Sequence, residues 1–422
     1  MGESYKRNRS FVELLGSPRV FLHEITTLPG LTKLIAQVDG IQKYDRAIAI
    51  ARPEDVILLK SRPEKSYLQW LEDVGLGSQK IIVLNGKNTE TLPERVLNKD
   101  ITQKLEALLG STKNQAVLSP YYGGPLEKHA SDWLGLFMYA EPDAVQRFDS
   151  KINFKQLCKK VGVPVVEFAI FDTRQGVHEL VQLIKIMSSK TGKVIVRGEY
   201  GASASTTYVL DHLDLKLINE IVDSSKPGDR YLVEPFYKTL SSPSSVWFIT
   251  KARTIVHLRT SNQLLEEGIT HVGNEFPVQF DEEQVNSYSF RIAKRLAEEC
   301  FLGPFGIDYI ETEKGIYATE CNPRVTGAMY PWELVFILEK KGPIKAARAE
   351  NIHLPRKGLT FEALRKLWKN VLYNGHNEEG VIVPFNAGPI SEGKVTVLGT
   401  GSSKEKVDSL FKDIKSRLIN LI

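Results

Sequence analysis

A chain of 422 residues has room for two or three domains and a substantial buried core. Its 55 basic and 51 acidic residues are interspersed to a net charge of +4, and no basic block is interleaved with aromatics, which excludes the usual signature of a nucleic-acid partner. Three cysteines are too few and too odd for a disulfide framework, and no apolar run is long enough for a bilayer span or a secretory leader, so the expectation is a cytoplasmic chain with no membrane partner.

The first stretch alternates short apolar runs with helical ones. "RAIAIAR" (46–52), "DVILLK" (55–60) and "KIIVLNG" (80–86) read as strands, and "SYLQWLEDVGLG" reads as a helix ending on glycine. Such alternation predicts an open α/β sheet, although no Gly-x-Gly-x-x-Gly turn follows its strands. A further apolar run, "AVLSPYYGG" (116–124), leads to "DWLGLFMYAEPDAVQRF".

The middle opens with "DSKINFKQLCKKVGVPVVEFAIFDT" (149–173). Phe154, Leu157, Cys158 and Val161 recur at helical spacing behind a Ser150 cap, and Gly162-Val163-Pro164 stops the helix. Helices near 177–188, 213–222 and 282–300 then alternate with extended runs at 192–210, "YLVEPFY" (231–237) and "SSVWFITKARTIVHLRT". The final stretch predicts a helical part (332–372), two strands in "EGVIVPFNAG" and "GKVTVLGTG", and an amphipathic helix with Val407, Leu410, Phe411, Ile414 and Leu418 on one side.

One hairpin carries the chemistry. In "GIDYIETEKGIYATECNPRVTGA" (306–328), two strand-forming runs flank the turn Glu313-Lys314-Gly315, which places Asp308 opposite residue 319 or 320. In the second register Asp308 and Glu320 are a cross-strand pair with Cβ atoms about 5 Å apart. Two buried carboxylates at that distance need a proton or a cation between them, and the oxygens of Asp308, Glu320 and Asn322 suit Mg²⁺. A surface hairpin with solvated acids is the bland alternative. Asn322-Pro323-Arg324 weighs against it, because a guanidinium beside the acids is suited to phosphate or carboxylate.

"GIDY" with "ECNPR" twelve residues beyond its acid, followed by "TGA", resembles the metal-binding end of ATP-grasp enzymes. The resemblance implies an α/β (α+β) chain: a pre-ATP-grasp open α/β domain (1–145), a small lid subdomain (146–238), a metal-binding catalytic subdomain (239–335) and a C-terminal helical and β-hairpin extension (336–422). It implies ATP and Mg²⁺ as cofactors, with Asp308, Glu320 and Asn322 as metal ligands. Lys151 matches the lysine that opens the first helix and reaches the phosphates. Arg197 stands where lysine is commoner, ahead of a small-residue loop that includes Gly201 and Ser203. "YLVEPFY" resembles the adenine hinge, with Glu234, Pro235, Phe236 and Tyr237. The position seven residues past Glu234, where an acid often holds the ribose, is Ser241. "LSPYYGGPLEKHASDWLGLFMYAEPDAVQRFDSK" and the tail "GVIVPFNAGPISEGKVTVLGTGSSKEKV" are similar to the pheganomycin-type peptide ligases.

The implied reaction is an ADP-forming carbon–nitrogen ligation in which an acyl phosphate made from ATP is captured by an amine. The partners are then a small carboxylic acid and an amine, such as amino acids or peptides, and the frequent dimers of the family leave a homodimer open. Arg324 would steady the reacting carboxylate, and Arg259, on the strand "TIVHLRTSN", would bind a substrate carboxylate or else be a solvated strand arginine. Glu266, Glu267 and His271 read as surface groups of the following loop. A carboxylase component, a small-molecule kinase and an ATP-binding module without turnover are the competing readings.

Overall fold

The computed structural model describes all residues except 1–5, 8, 32–39, 202–204, 212, 267, 269, 377–379 and 422. After a two-residue strand Lys6–Arg7 (β1), five strands follow: Arg19–Leu22 (β2), Val56–Leu59 (β3), Ile81–Val83 (β4), Val117–Pro120 (β5) and Phe137–Met138 (β6). These five pair in parallel in the order β4-β3-β2-β5-β6. β2 and β3 are buried along their whole length, as a parallel strand covered on both faces requires. The chain leaves β2 for β3 on one side and later returns to β5 on the other. The crevice between β2 and β5 is therefore the topological switch point, where open α/β sheets place ligands.

A second sheet contains Ala169–Asp172 (β7), Val194–Gly198 (β8), Thr207–Leu210 (β9) and Arg230–Pro235 (β10), antiparallel in the order β7-β10-β8-β9. It has a core of its own, in which Leu180 and Ile184 from helix Gly176–Ser188 and Ile218 and Ile221 from helix Leu215–Asp223 pack on Phe171, Val194, Val196 and Val233.

The third and largest sheet collects Pro243–Ile249 (β11), Ile255–Glu266 (β12), Thr270–Phe276 (β13), Gly303–Thr312 (β14), Gly315–Asn322 (β15), Ala346–His353 (β16), Ile382–Asn386 (β17) and Lys394–Gly401 (β18). Its order is β15-β14-β11-β12-β13-β16-β18-β17, with β1 added against β12. The acid-bearing hairpin is thus at one edge, and the C-terminal strands extend the same sheet from β13 outward.

Two sequence expectations fail for physical reasons. "RAIAIAR" forms the helix Ala47–Ile50, every residue of which is buried. A short apolar run carries no period that separates a buried strand from a buried helical turn. "AARAENIH", inside the stretch expected to be helical, is strand β16, because β13 and β18 supply ladder partners on both sides. Long-range pairing there overrides the high helix propensity of alanine. The Ser150 cap behaves as expected, its hydroxyl accepting from Asn153 N at the start of helix Lys151–Lys160.

Candidate functional site

A cleft of about 510 Å³ lies between the three sheets. Its floor includes the hairpin β14–β15, whose register sets Asp308 opposite Glu320. A bulge follows at once: Tyr309 pairs with Ala318, so Thr319 is the extra residue, and its hydroxyl donates to the Asp308 carbonyl at 2.9 Å. Opposite residues of an antiparallel pair share a face, so both acids look into the cleft while Cys321 is buried behind them.

Each acid has its own set of donors. Gln263 Nε2 and Asn322 Nδ2 donate to the two oxygens of Asp308 at 3.1 and 2.8 Å. Lys151 Nζ lies 3.3 Å from Glu320 Oε2 and donates to the Gly201 carbonyl at 2.9 Å. Burial, reinforced by the charge of Glu320, pushes the Asp308 carboxyl up to about 7. Burial acts the same way on Glu320, but Lys151 and Arg197 overcome it and hold that carboxyl below its ordinary value. Asn322 also ties the hairpin to the following arginine, since its Oδ1 accepts from Arg324 Nη2 at 2.7 Å.

A second cation near Glu320, Arg197, is part of a buried charge triad. Arg197 donates to Glu234 Oε2 through Nε (2.9 Å) and Nη2 (2.5 Å), and Lys155 Nζ pairs with the other oxygen of Glu234. The side chains of Lys155 and Glu234 are 0% and 2% exposed. Burial tends to raise the Glu234 carboxyl, yet Arg197 and Lys155 keep it lowered. Two cations on one anion leave a net positive charge facing the cleft, fitted to an anionic ligand. Strand alternation explains the geometry: Val194 and Val196 enter the small core while Ile195 and Arg197 face the cleft.

The remaining predicted residues are distributed as follows. Pro235, Phe236 and Tyr237 line the cleft beyond β10 with Val166, Ile195 and Ile310, which makes an apolar slot. Phe236 N–H is taken by the Lys193 carbonyl at 3.0 Å. Gly201 has φ +150°, and a Cβ there would sit 2.3 Å from Thr206 Oγ1, which closes the loop by donating to the Tyr200 carbonyl at 3.0 Å. Ser203 and Glu267 lie outside the described residues. Ser241 donates to Glu311 Oε2 at 2.6 Å.

Arg259 does not reach this cleft. Its guanidinium sits 4.0 Å from the centre of the Phe276 ring and 3.8 Å from Glu339, in a separate small cavity beside Trp332. His271, expected at the surface, is half-buried and lines the cleft, with Nε2 2.7 Å from Asn274 Oδ1. The residues that sequence reasoning missed are Lys155, Gln263, Tyr121, Arg46 and His271, all of which line the cleft. Tyr121 directly follows β5 at the switch point, and its hydroxyl is 3.2 Å from Arg324 Nη1.

Among the described residues, no three His, Cys, Asp or Glu side chains cluster. A cation at the hairpin would be held by two carboxylates, the free lone pair of the Asn322 carbonyl and oxygens of a ligand. That is a hard-oxygen set, and the mutual repulsion of Asp308 and Glu320 is what such a cation relieves.

Residues 183–328 match the model of the ATP-grasp domain. A [butirosin acyl-carrier protein]–L-glutamate ligase from Niallia circulans is 20% identical over 311 residues, which are 71% of this chain and 68% of that protein. Among solved structures, an N5-carboxyaminoimidazole synthetase from Staphylococcus aureus superposes with a TM-score of 0.57 at 12% identity, over 99% of this chain and 100% of the other. An N5-carboxyaminoimidazole synthase from Aspergillus clavatus, solved with ADP and 5-aminoimidazole ribonucleotide, gives 0.57 at 14% identity over 96% and 99%. At these identities the structural likeness is one of fold.

Proposed function

We propose that this chain is an ATP-grasp ligase that joins a carboxylic acid to an amine through an acyl phosphate, with amino acids or short peptides as substrates; the matched ATP-grasp domain, the glutamate-ligase relative and the shared fold support this reading. The observation that carries this reading is the convergence at one end of the cleft of the acid pair, Asp308 and Glu320, with three cations, Lys151, Arg197 and Arg324.

In this reading the adenine enters the apolar slot formed by Val166, Ile195, Phe236 and Ile310, beside the backbone of Pro235 and Tyr237. Lys151, Arg197 and the loop at Gly201 hold the phosphates. Mg²⁺, held by Asp308, Glu320 and Asn322, would neutralise phosphate charge. Arg324 orients the acid so that a carboxylate oxygen attacks the γ-phosphorus and ADP leaves. The amine then adds to the acyl carbon, phosphate departs, and the amine nitrogen loses a proton. Every part of this is positioning and charge stabilisation, so no protein nucleophile is required.

The test is ADP release by the purified chain with ATP, Mg²⁺ and a panel of acids, in the presence of hydroxylamine, which captures acyl phosphates as hydroxamates. Hydroxamate formed in step with ADP supports the ligase. ADP with a stable phosphorylated product and no hydroxamate would make the chain a kinase instead.

Two further results are expected. Gly201→Ala forces a Cβ into Thr206 and opens the phosphate loop, so titration with a non-hydrolysable ATP analogue should show binding weakened about tenfold or more. Retained affinity would mean the loop does not touch phosphate. Second, a carboxyl whose native pKa lies near 7 is largely protonated below that pH and must lose its proton to face a cation. Affinity for Mg²⁺ with the ATP analogue should therefore rise between pH 6 and 8, with proton uptake by the buffer. Calorimetry in buffers of different ionisation enthalpy measures it directly, and equal heats in all of them would contradict the shared-proton picture.

A further inference from the structure

The cleft continues past the hairpin to the switch point, and there it holds a cation that the ligase chemistry described above does not use. Arg46 comes from the N-terminal domain, just before helix Ala47–Ile50, and lines the cleft together with Arg324 and His271. Its Nε is buried without a hydrogen-bond partner. The adjacent acid is within electrostatic reach of Arg46 but, among the described residues, forms no ion pair with it: Asp45 accepts from Gly388 N at 2.9 Å, and its backbone N–H donates to Asn386. Arg46 instead rests on aromatic rings, with its guanidinium carbon 4.9 Å from the centre of Tyr44 and 5.9 Å from that of Tyr330.

The neighbouring imidazoles are neutral. Tyr330 O–H bonds His23 Nδ1 at 2.7 Å, and burial together with Arg46 lowers the His23 imidazole to about 3. Burial likewise lowers His271, with Arg46 and Arg324 both adding to the effect. Gly327 opens the floor between them, since a Cβ there would lie 3.6 Å from His271 Cε1 and 3.9 Å from Arg46 Nη1. Arg324 stands over Tyr121 at 5.3 Å, and the Tyr121 and Tyr330 rings stack with centres 6.5 Å apart. Two guanidiniums thus occupy neighbouring rings of one wall. One faces the acids of the hairpin; the other faces open cleft.

A guanidinium held against low-dielectric rings without an anion is costly unless a ligand supplies one, and its planar fork matches a carboxylate. We propose that Arg46 binds a second carboxylate of the acid substrate, remote from the carboxyl that is phosphorylated beside Arg324, so that the chain selects dicarboxylic over monocarboxylic acids. This rests on the ligase reading for which carboxyl reacts, but the binding itself does not depend on turnover.

The test uses the full chain with Mg²⁺ and a non-hydrolysable ATP analogue. Titration calorimetry compares unbranched diacids from succinate to pimelate with monoacids of equal length, and hydroxamate formation from ATP is followed separately. The expected result is at least tenfold tighter binding for the best diacid than for its monoacid. In Arg46→Ala that preference collapses, and Arg46→Lys restores part of it, with thermal midpoints confirming folded protein. Equal affinity for diacids and monoacids, equal weakening of both in Arg46→Ala, or no binding of any acid would overturn the assignment. If diacids bind in an Arg46-dependent way but no acid yields hydroxamate, the anion subsite stands and the ligase reading fails.

Discussion

Replacing Glu320 by glutamine is expected to lower ADP release about a thousandfold while the protein stays folded. The side chain keeps its size, so the hairpin packing is undisturbed. What changes is charge. Glu320 faces Asp308 across the ladder and has Lys151 at 3.3 Å, so its loss removes one of the two carboxylates available to a cation and frees Lys151 from its tether. Removing a single group that stabilises transition-state charge costs about 10²–10³ in rate, and weakened cation binding adds to that. The same change relieves the repulsion that pushes Asp308 up but takes from Lys151 and Arg197 the carboxylate they stabilise, so these opposed effects should leave the unliganded protein folded with a modest change in thermal midpoint. A coupled ADP assay and a melting curve decide the matter. Turnover within tenfold of the wild type would remove Glu320 from the site.

Lys155→Ala is expected to have the largest effect on stability. Lys155 and Glu234 are buried on helix Lys151–Lys160 and strand β10, 79 residues apart in sequence, and Arg197 completes the triad from β8. Truncating Lys155 leaves a buried anion half-compensated at the cleft wall and opens a void beside it. Breaking one partner out of such a buried pair costs about 3–5 kcal/mol. The loss should be visible as a lower denaturant midpoint and as faster hydrogen exchange in β8 and β10. The double variant Lys155→Met with Glu234→Gln removes both charges at nearly constant shape. It should be less destabilised than the sum of the single variants, because the penalty comes from the orphaned partner and not from the lost attraction. Strict additivity of the two changes would mean that the triad is not energetically coupled. Nucleotide affinity gives a second readout, since Arg197 is aimed by Glu234 and should drift when Glu234 is lost.

The legibility of this molecule in its sequence follows the range of the interactions involved. The hairpin could be read because its turn and strands are contiguous: once Glu313-Lys314-Gly315 is the turn, alternation places Asp308 against residue 319 or 320, and the structure pairs it with Glu320. Ser150 as a cap and Lys151 as the first helical residue are equally local. Lys155 was invisible because a lysine on a polar-looking helix reads as solvated, and only the distant Glu234 makes its burial tolerable. His271 looked like a loop residue for the same reason, as its neighbours in space, Arg46 and Arg324, are far from it in sequence, the first in the N-terminal domain and the second beyond β15. Arg259 reads as a substrate-carboxylate ligand or a solvated strand arginine, and the structure sets it instead against the ring face of Phe276, the last residue of β13. A strand arginine's target depends on which residue the next strand sets beside it, and register across β12 and β13 includes a shift at Leu264/Leu265 that no local pattern announces.

The continuous large sheet also bears on how such a chain changes over generations. The residues around the acid pair, from Lys151 to Arg324, come from β8, β10, β14–β15 and the helix before them. The cleft is also lined by Arg46 from the N-terminal domain and by Asn351 and Lys394 from β16 and β18. Drift in those outlying segments can reshape what the cleft accepts without disturbing the geometry around the acid pair. Descendants of one ancestor can therefore diverge in diet while inheriting the same engine.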